Sequence, residues 1–370
     1  EGIAAEVVYN GDHRAITPFV DPGTRDWASD LQAAGYRAWH RWMHDAFGAH
    51  PDRLLLVANP GQGTDRDAML EELNWVADHG YHGAYVPGFL PTSDVPPLSD
   101  PWWDPYWATC VDRGLPLYVH AGHGVQMSTL YDAAKVISAR MAASDDPDVD
   151  WAQEFIALIT TKGDFFADPR PRRPLWQLTL GGVFDRFPEL RLVLTEIRGD
   201  WLPATLAHLD EVFAAHRDDL ATSVPPSEHW RTNCLTSLSF VHRSEVEMRH
   251  EIGIDTISFG RDYPHEEATW PNTREWVHDA FAGVPEAEVR AMLGDNAIRF
   301  LDLDRAPLQA IADGIGPTLD EVAGPRPEID PILLAHMDGR GGYLKPPEGD
   351  SRLDEVVEMM SEDLPALGVA

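Results

Sequence analysis

Short apolar runs of strand length alternate along this chain with amphipathic stretches of helix length. The runs fall at Glu6–Tyr9, Arg53–Ala58, Gly83–Val86, Leu117–His120, Arg191–Glu196, Thr232–Leu238 and Thr256–Gly260. Several, such as Leu54-Leu-Leu-Val57 and Leu192-Val-Leu194, are continuously apolar, the pattern of strands buried on both faces of a parallel sheet. Helices are predicted between them. Trp27–Phe47 carries Leu31, Ala34, Trp39, Trp42 and Met43 at mixed three- and four-residue spacing. Asp65–His79, Asp104–Arg113, Trp201–His216, His242–Ile252, Asn272–Phe281 and Glu286–Leu301 follow. Repeated strand–helix units imply a parallel α/β sheet, and seven strands at this spacing make most of an eight-stranded (β/α)8 barrel. A doubly wound sheet is the rival, but no Gly-x-Gly-x-x-Gly fingerprint follows any strand.

Two regions break the rhythm. Gly122–Pro174, with the acidic run Ser144–Asp150, reads as a helical insertion after the fifth strand position, on the face where barrels keep their chemistry. Beyond about Asp304 comes a tail rich in Pro and Gly, with Gly339-Arg-Gly-Gly342 and a last helix near Ser351–Leu364. The expected organisation is a barrel over residues 1–304 and an extension over 305–370 that wraps the body or serves as an oligomerisation arm.

Composition narrows the function. Hydrophobic residues make up 44% of the 370 and charged residues 24%, ordinary values for a globular protein. The net charge of −32 is not ordinary; it repels phosphate backbones and anionic lipid, so nucleic acid and membrane are excluded as expected partners. No apolar run approaches the roughly 20 residues that span a bilayer. With Cys110 and Cys234 as the only cysteines, a disulfide scaffold and a Cys-rich zinc module are out, and a reducing cytoplasm is the expected compartment. The first residues lack a Met and do not have the pattern of a signal peptide.

Three strand ends hold candidate chemistry. His120 closes the apolar strand Leu117–His120, and His123 follows in the loop. At the C-terminal rim of a parallel barrel such a side chain faces substrate, and His is the commonest metal ligand; a core histidine bonded to backbone is the plain alternative. Glu196 ends a run that is otherwise apolar, where a carboxylate is expensive unless it meets a cation, metal or donor. Arg198 offers a local ion pair, and Arg198 and Asp200 equally suit a solvated loop. Asp262 follows an apolar strand and a glycine, ahead of Tyr263-Pro264-His265. It reads as a site carboxylate or a helix cap, and His265 as a substrate contact or a solvated residue. A barrel brings the ends of non-adjacent strands to one rim, so a His, a Glu and an Asp there would form a set suited to Zn²⁺, Mn²⁺ or Fe²⁺. Neither a Gly-x-Ser-x-Gly elbow nor a P-loop is present. The cluster Pro101-Trp-Trp-Asp-Pro-Tyr-Trp107 suits an apolar pocket or, more commonly, core packing.

The ordered motifs Trp103–Trp107, Val119-His-Ala-Gly122, Gly181–Arg191, Thr195-Glu196 to Trp201-Leu-Pro203, Phe259–His265 and Asp295–Leu301 resemble the amidohydrolase-2 family. That family includes aminocarboxymuconate semialdehyde decarboxylase and the resorcylate decarboxylases. The resemblance runs to about Asp304 and implies a distorted (β/α)8 TIM barrel with a divalent metal at its rim. The family's strand-five His ligand falls on His120, and its strand-eight Asp, ligand or general base, on Asp262. The strand-six position, often His in the decarboxylases, is Glu196, a departure that allows direct metal binding and one or two ions. The His-x-His pair of the family's first strand is absent, and Glu1–Tyr9 resembles its second strand. A separate or preceding N-terminal segment carrying the first strand is therefore expected, unless the metal site is lost.

The expected function is a metal-dependent hydrolase of a small carbonyl substrate, an amide, lactone or thioester, using zinc first and manganese or iron otherwise. His120, Asp262 and Glu196 would bind metal, with Asp262 and Glu196 also catalytic, and His123, Arg198 and His265 would support substrate or ligands. The alternative is non-oxidative decarboxylation of an aromatic or unsaturated acid, with Arg198 or Arg261 receiving the carboxylate. A non-catalytic barrel or partner subunit is a second alternative. A homodimer is expected by analogy.

Overall fold

The structure is a computed structural model that describes residues 1–9, 29–61, 65–87, 96–121, 123, 127–144, 146, 149, 151, 169–239, 241–265, 268–326, 328–334 and 352–369. Among the described residues seven strands form one parallel sheet in sequence order: β1 Glu6–Val8, β2 Leu54–Ala58, β3 Gly83–Tyr85, β4 Leu117–His120, β5 Leu192–Thr195, β6 Cys234–Ser239 and β7 Ile257–Gly260. All lie where the apolar runs place them. The sheet curls, with helices on its outer side, into a distorted α/β TIM barrel.

Strand alternation sorts the core into two layers. Val57, Tyr85, Tyr118, Val193 and Leu235 gather on one side with Phe300, joined by Val7, Tyr9 and Leu301. This is the barrel interior. Their sequence neighbours Leu56, Ala84, Leu117, Leu192 and Leu194 belong to the larger cluster against the helices. Gly83 makes room for the interior layer, because a Cβ there would lie 2.2 Å from Cε2 of Tyr118. The aromatic cluster of the sequence is core packing: Trp103, Tyr106 and Trp107 are fully buried.

The helices match their predicted spans closely, with two departures. Glu286–Leu301 is Glu286–Arg290, a π-helical segment Ala291–Asp295, and Asn296–Phe300. Asn296 fastens the widened turn, donating through Nδ2 to the carbonyls of Ile254 (2.7 Å) and Ile257 (2.8 Å) at the entry to β7. His242–Ile252 divides into Arg243–Glu247 and Arg249–Ile252, because Met248 between them (φ −82°, ψ 2°) leaves the helical region. Of the insertion, the helix Met127–Ala143 is described; the acidic run lies partly, and residues 152–168 wholly, outside the described residues.

The extension begins with helices Arg305–Ile315 and Leu319–Ala323. Gly339-Arg-Gly-Gly342 lies outside the described residues. The last helix, Leu353–Asp363, docks on its own barrel: Val356 and Met360 are buried in the main core, with Leu367 and Val369 just after them. Asp363 anchors it to the helix Arg173–Leu180, accepting from Arg173, Trp176 and Gln177.

In the sheet order β1 and β7 are the two ends. Side chains cross between them: Arg261, just past β7, pairs with Glu6 and, at 3.0 Å, with Glu1, and Thr273 donates to Glu1 at 2.8 Å. No helix among the described residues is long and apolar enough to cross a membrane.

Candidate active site

The C-terminal ends of β4, β5 and β7 deliver the three residues singled out in the sequence. His120 is the last residue of β4, Glu196 follows β5, and Asp262 lies two residues past β7. Glu196, Asp262 and His265 each offer a donor atom within 4.8 Å of the others. His120 joins through Glu196, its Nε2 lying 2.9 Å from Oε2. His265 Nδ1 lies 3.1 Å from Asp262 Oδ2.

The backbone is bent to make this convergence. Glu196 (φ 54°) and Asp262 (φ 57°) both stand in the left-handed region, which costs a non-glycine residue about 1–2 kcal/mol. Each marks the turn where a strand leaves the barrel, and the reversal swings the carboxylate over the rim. The Glu196 N–H still bonds Ser237 O at 3.3 Å. The loop after β7 is closed by Thr269 N to Arg261 O (3.1 Å) and His265 N to Asp262 O (3.0 Å).

Electrostatics follow from burial. The Glu196 and Asp262 side chains are 6% and 10% exposed, whereas His265 is 42% exposed. Burial, then the neighbouring Glu196 charge, pushes the Asp262 carboxyl up to about 6, against the pull of His265. For His120 burial works toward the neutral form, but the Glu196 charge and hydrogen bond outweigh it and raise the pKa. Its Nδ1 donates to Ala121 O (3.1 Å) while Nε2 faces a carboxylate, so both ring nitrogens meet acceptors.

The other sequence candidates lie differently. Arg198 is engaged by Asp200 (3.1 Å) and approached by Glu245 (4.0 Å), and Arg261 by Glu1 and Glu6. The chain's own carboxylates thus occupy both guanidiniums put forward for a substrate carboxylate. His123 is buried, its backbone N–H bonded to His120 O at 3.0 Å. Tyr9 was missed. Its hydroxyl shares a 2.8 Å hydrogen bond with Thr195 Oγ1, and its ring centroid lies 5.2 Å from that of His120. Its place at the end of the β1 run, two residues after the inward Val7, was the available signal.

The donor chemistry fits a divalent cation. Two carboxylates and an imidazole are the O/N set that Mn²⁺, Fe²⁺ and Zn²⁺ accept. Donors around such an ion lie up to about 4–4.4 Å apart at usual bond lengths, and these three lie within 4.8 Å of one another. Two neighbouring buried carboxylates are costly without a positive charge between them.

A family model described as amidohydrolase matches residues 16–303. Solved structures share the fold. An amidohydrolase from Mycobacterium avium subsp. paratuberculosis is 21% identical with a TM-score of 0.55, covering 74% of this chain and 65% of that one. This chain thus spans less than two thirds of that protein. 2,6-Dihydroxybenzoate decarboxylase from Rhizobium is 23% identical with a TM-score of 0.52, covering 75% and 80%. A dihydroxybenzoic acid decarboxylase from a Polaromonas species, with bound manganese and the inhibitor 2-nitroresorcinol, is 18% identical with a TM-score of 0.51, covering 76% and 79%.

Proposed function

The chain belongs to the amidohydrolase family, and from that premise we propose that it is a metal-dependent lyase that decarboxylates a hydroxybenzoic acid without oxidation. The observation that carries the reading is the meeting of Glu196, Asp262 and His265 within 4.8 Å at the rim, with His120 against Glu196. Hydrolysis, the reading preferred from sequence, gives way to its alternative because decarboxylases of dihydroxybenzoates are among the solved structures that share the fold. Manganese replaces zinc as the first ion to try, since the Polaromonas enzyme binds it.

Glu196 and His265 would hold the cation, with His120 steadying Glu196, and Asp262 beside them would carry the proton. When bound, a divalent cation supplies a Lewis acid that anchors the oxygens of an anionic substrate. The chain supplies the proton. Loss of carbon dioxide breaks the bond between ring carbon and carboxyl carbon and leaves the electron pair on the ring. Asp262 gives its carboxyl proton to that ring carbon and becomes a carboxylate. Solvent, which reaches the site on the side of the exposed His265, returns the proton to Asp262.

The test joins metal content with product analysis. Protein purified without chelator and loaded with Mn²⁺ should hold about one equivalent by plasma mass spectrometry and release carbon dioxide from 2,6-dihydroxybenzoate. Asp262→Asn should lower kcat by on the order of 10²–10⁴. Failure to take up any divalent ion, or cleavage of amides or lactones with no carbon dioxide from any hydroxybenzoate, refutes the reading.

A further inference from the structure

Glu245 is buried, 1% exposed, and takes no part in the reaction above. At the third position of the helix Arg243–Glu247, just after β6, it closes a capping box with His242. Its Oε2 accepts the His242 N–H at 3.1 Å. The other oxygen leaves the helix: Oε1 accepts the backbone N–H of Gly199 at 2.9 Å, 46 residues back along the chain. Arg198 Nε lies 4.0 Å from the same Oε1, but that guanidinium is turned to Asp200 at 3.1 Å. A helix cap needs one oxygen and gains nothing from burial, and taking a carboxylate out of water is costly unless its oxygens are bonded. Here both are bonded, each to the backbone of a different rim loop: the one after β5 and the one after β6.

The loop after β5 is the one that carries Glu196 through its left-handed turn (φ 54°). It meets β6 at two long hydrogen bonds, Glu196 N to Ser237 O at 3.3 Å and Thr236 Oγ1 to Ile197 O at 3.5 Å. The Gly199 bond to Glu245, at 2.9 Å, is shorter than either. Gly199 is also pressed against its neighbours, since a Cβ there would lie 2.9 Å from Cδ2 of Leu238 and 3.1 Å from Cδ1 of Ile252. A non-glycine residue stays in the left-handed region only where the surroundings over-determine it. The Glu245 contact is a restraint of that kind, applied at the far end of the loop from β5.

We propose that Glu245 is a positioning residue of the rim: it clamps the loop after β5 to the turn after β6 and so keeps the Glu196 carboxylate beside Asp262 and His265. The proposal rests on the reading of this rim as a cation site and is independent of which reaction the site performs. Without the clamp, Glu196 relaxes toward the ordinary backbone region, its carboxylate swings off the rim, and the cation loses a donor. Groups that orient metal-binding side chains without touching the metal act on affinity in this way.

The experiment titrates the full chain with Mn²⁺ alone, by calorimetry. Glu245→Gln keeps the shape but sets an NH₂ group against one of the two backbone N–H donors, so the Mn²⁺ dissociation constant should rise on the order of 10–100-fold. Gly199→Ala displaces the same loop and should also weaken binding, and the double variant should lose less than the two single losses combined. Asp363→Ala, which loosens the last helix, should lower the thermal midpoint and leave Mn²⁺ affinity unchanged; an equal loss of affinity there assigns the effect to general stability and overturns the positioning role. Should Glu245→Gln not fold, hydrogen exchange on the wild type takes its place. Coupling between clamp and ion is reciprocal, so Mn²⁺ should slow exchange over residues 242–247, none of which would hold the ion, and unchanged exchange there overturns the clamp. A folded Glu245→Gln that binds Mn²⁺ as the wild type does overturns it too, while the cation reading stands. A wild-type chain that takes up no divalent ion removes that reading, and this one with it.

Discussion

Two adjacent carboxylates at the end of the last helix separate a buried anchor from a surface ion pair. Asp363 accepts from Arg173 Nε (2.8 Å) and Nη2 (2.6 Å), from Trp176 Nε1 (2.7 Å) and from Gln177 Nε2 (3.3 Å). Its side chain is 10% exposed and that of Arg173 33%. Glu362 reaches the same Arg173 at 3.6 Å but is 62% exposed. Asp363→Ala strips a two-pronged charged bond, discounted because Arg173 is partly wet, and leaves the buried indole N–H of Trp176 without its acceptor. Together these amount to about 3 kcal/mol. Glu362→Ala should cost less than about 0.5 kcal/mol. If the chain unfolds as one unit, an entropy of about 2 cal/mol/K per residue converts the first figure to a midpoint drop of about 4 °C. If the helix detaches first, amide exchange in Leu353–Asp363 should quicken by about two orders of magnitude while the midpoint moves less. Calorimetry and hydrogen exchange on the two variants decide it. Equal effects, or an Asp363→Ala chain with unchanged midpoint and exchange, refute the anchor.

Acid should weaken the fold in two stages. Burial holds His40 below its usual 6.5, against the pull of Glu72; Glu72 lies below 4.5 because bonds from His40 and Arg41 outweigh burial. On both counts the unfolded chain binds more protons, so stability rises with pH. The His40 share is full above 6.5 and fades as pH falls below it; the Glu72 share is full above 4.5 and fades below. Asp262 and His120, with raised pKa values, act in the opposite sense in both chains, so the check is the difference between wild type and His40→Gln: the wild-type midpoint relative to that of the variant should fall as pH drops below 6.5, and a difference that does not change with pH contradicts the assignment. Gly83→Ala should cost about 1–3 kcal/mol by driving a methyl into Tyr118, and Tyr118→Ala in the same chain should recover part of it. A neutral Gly83→Ala in chemical denaturation rules out the close packing described for β3.

The strands were legible because each is an apolar run buried on both faces, and a parallel sheet then follows from the alternation. His120, Glu196 and Asp262 were legible for a related reason: each is a polar residue at the end of such a run, where burial makes it conspicuous. What escaped depended on distance along the chain. Tyr9 meets Thr195 across 186 residues, and Asp363 meets Trp176 across 187, pairings that no local period encodes. His40 looked like one more residue on an amphipathic helix until the structure placed Glu72 and the Asn59 N–H on its two nitrogens. The guanidiniums show the opposite case, for their nearness to the site in sequence did not tell that Arg198 pairs with Asp200 and Arg261 with Glu1 and Glu6.

The left-handed turns at Glu196 and Asp262 bear on how this chain would behave under laboratory evolution. Glycine adopts that backbone without penalty, so Gly at either position relieves about 1 kcal/mol and also removes a buried charge. A screen for heat tolerance alone would collect such changes early. Its hardiest descendants would be the ones whose rim had gone silent, so selection on this barrel needs an activity gate in every round.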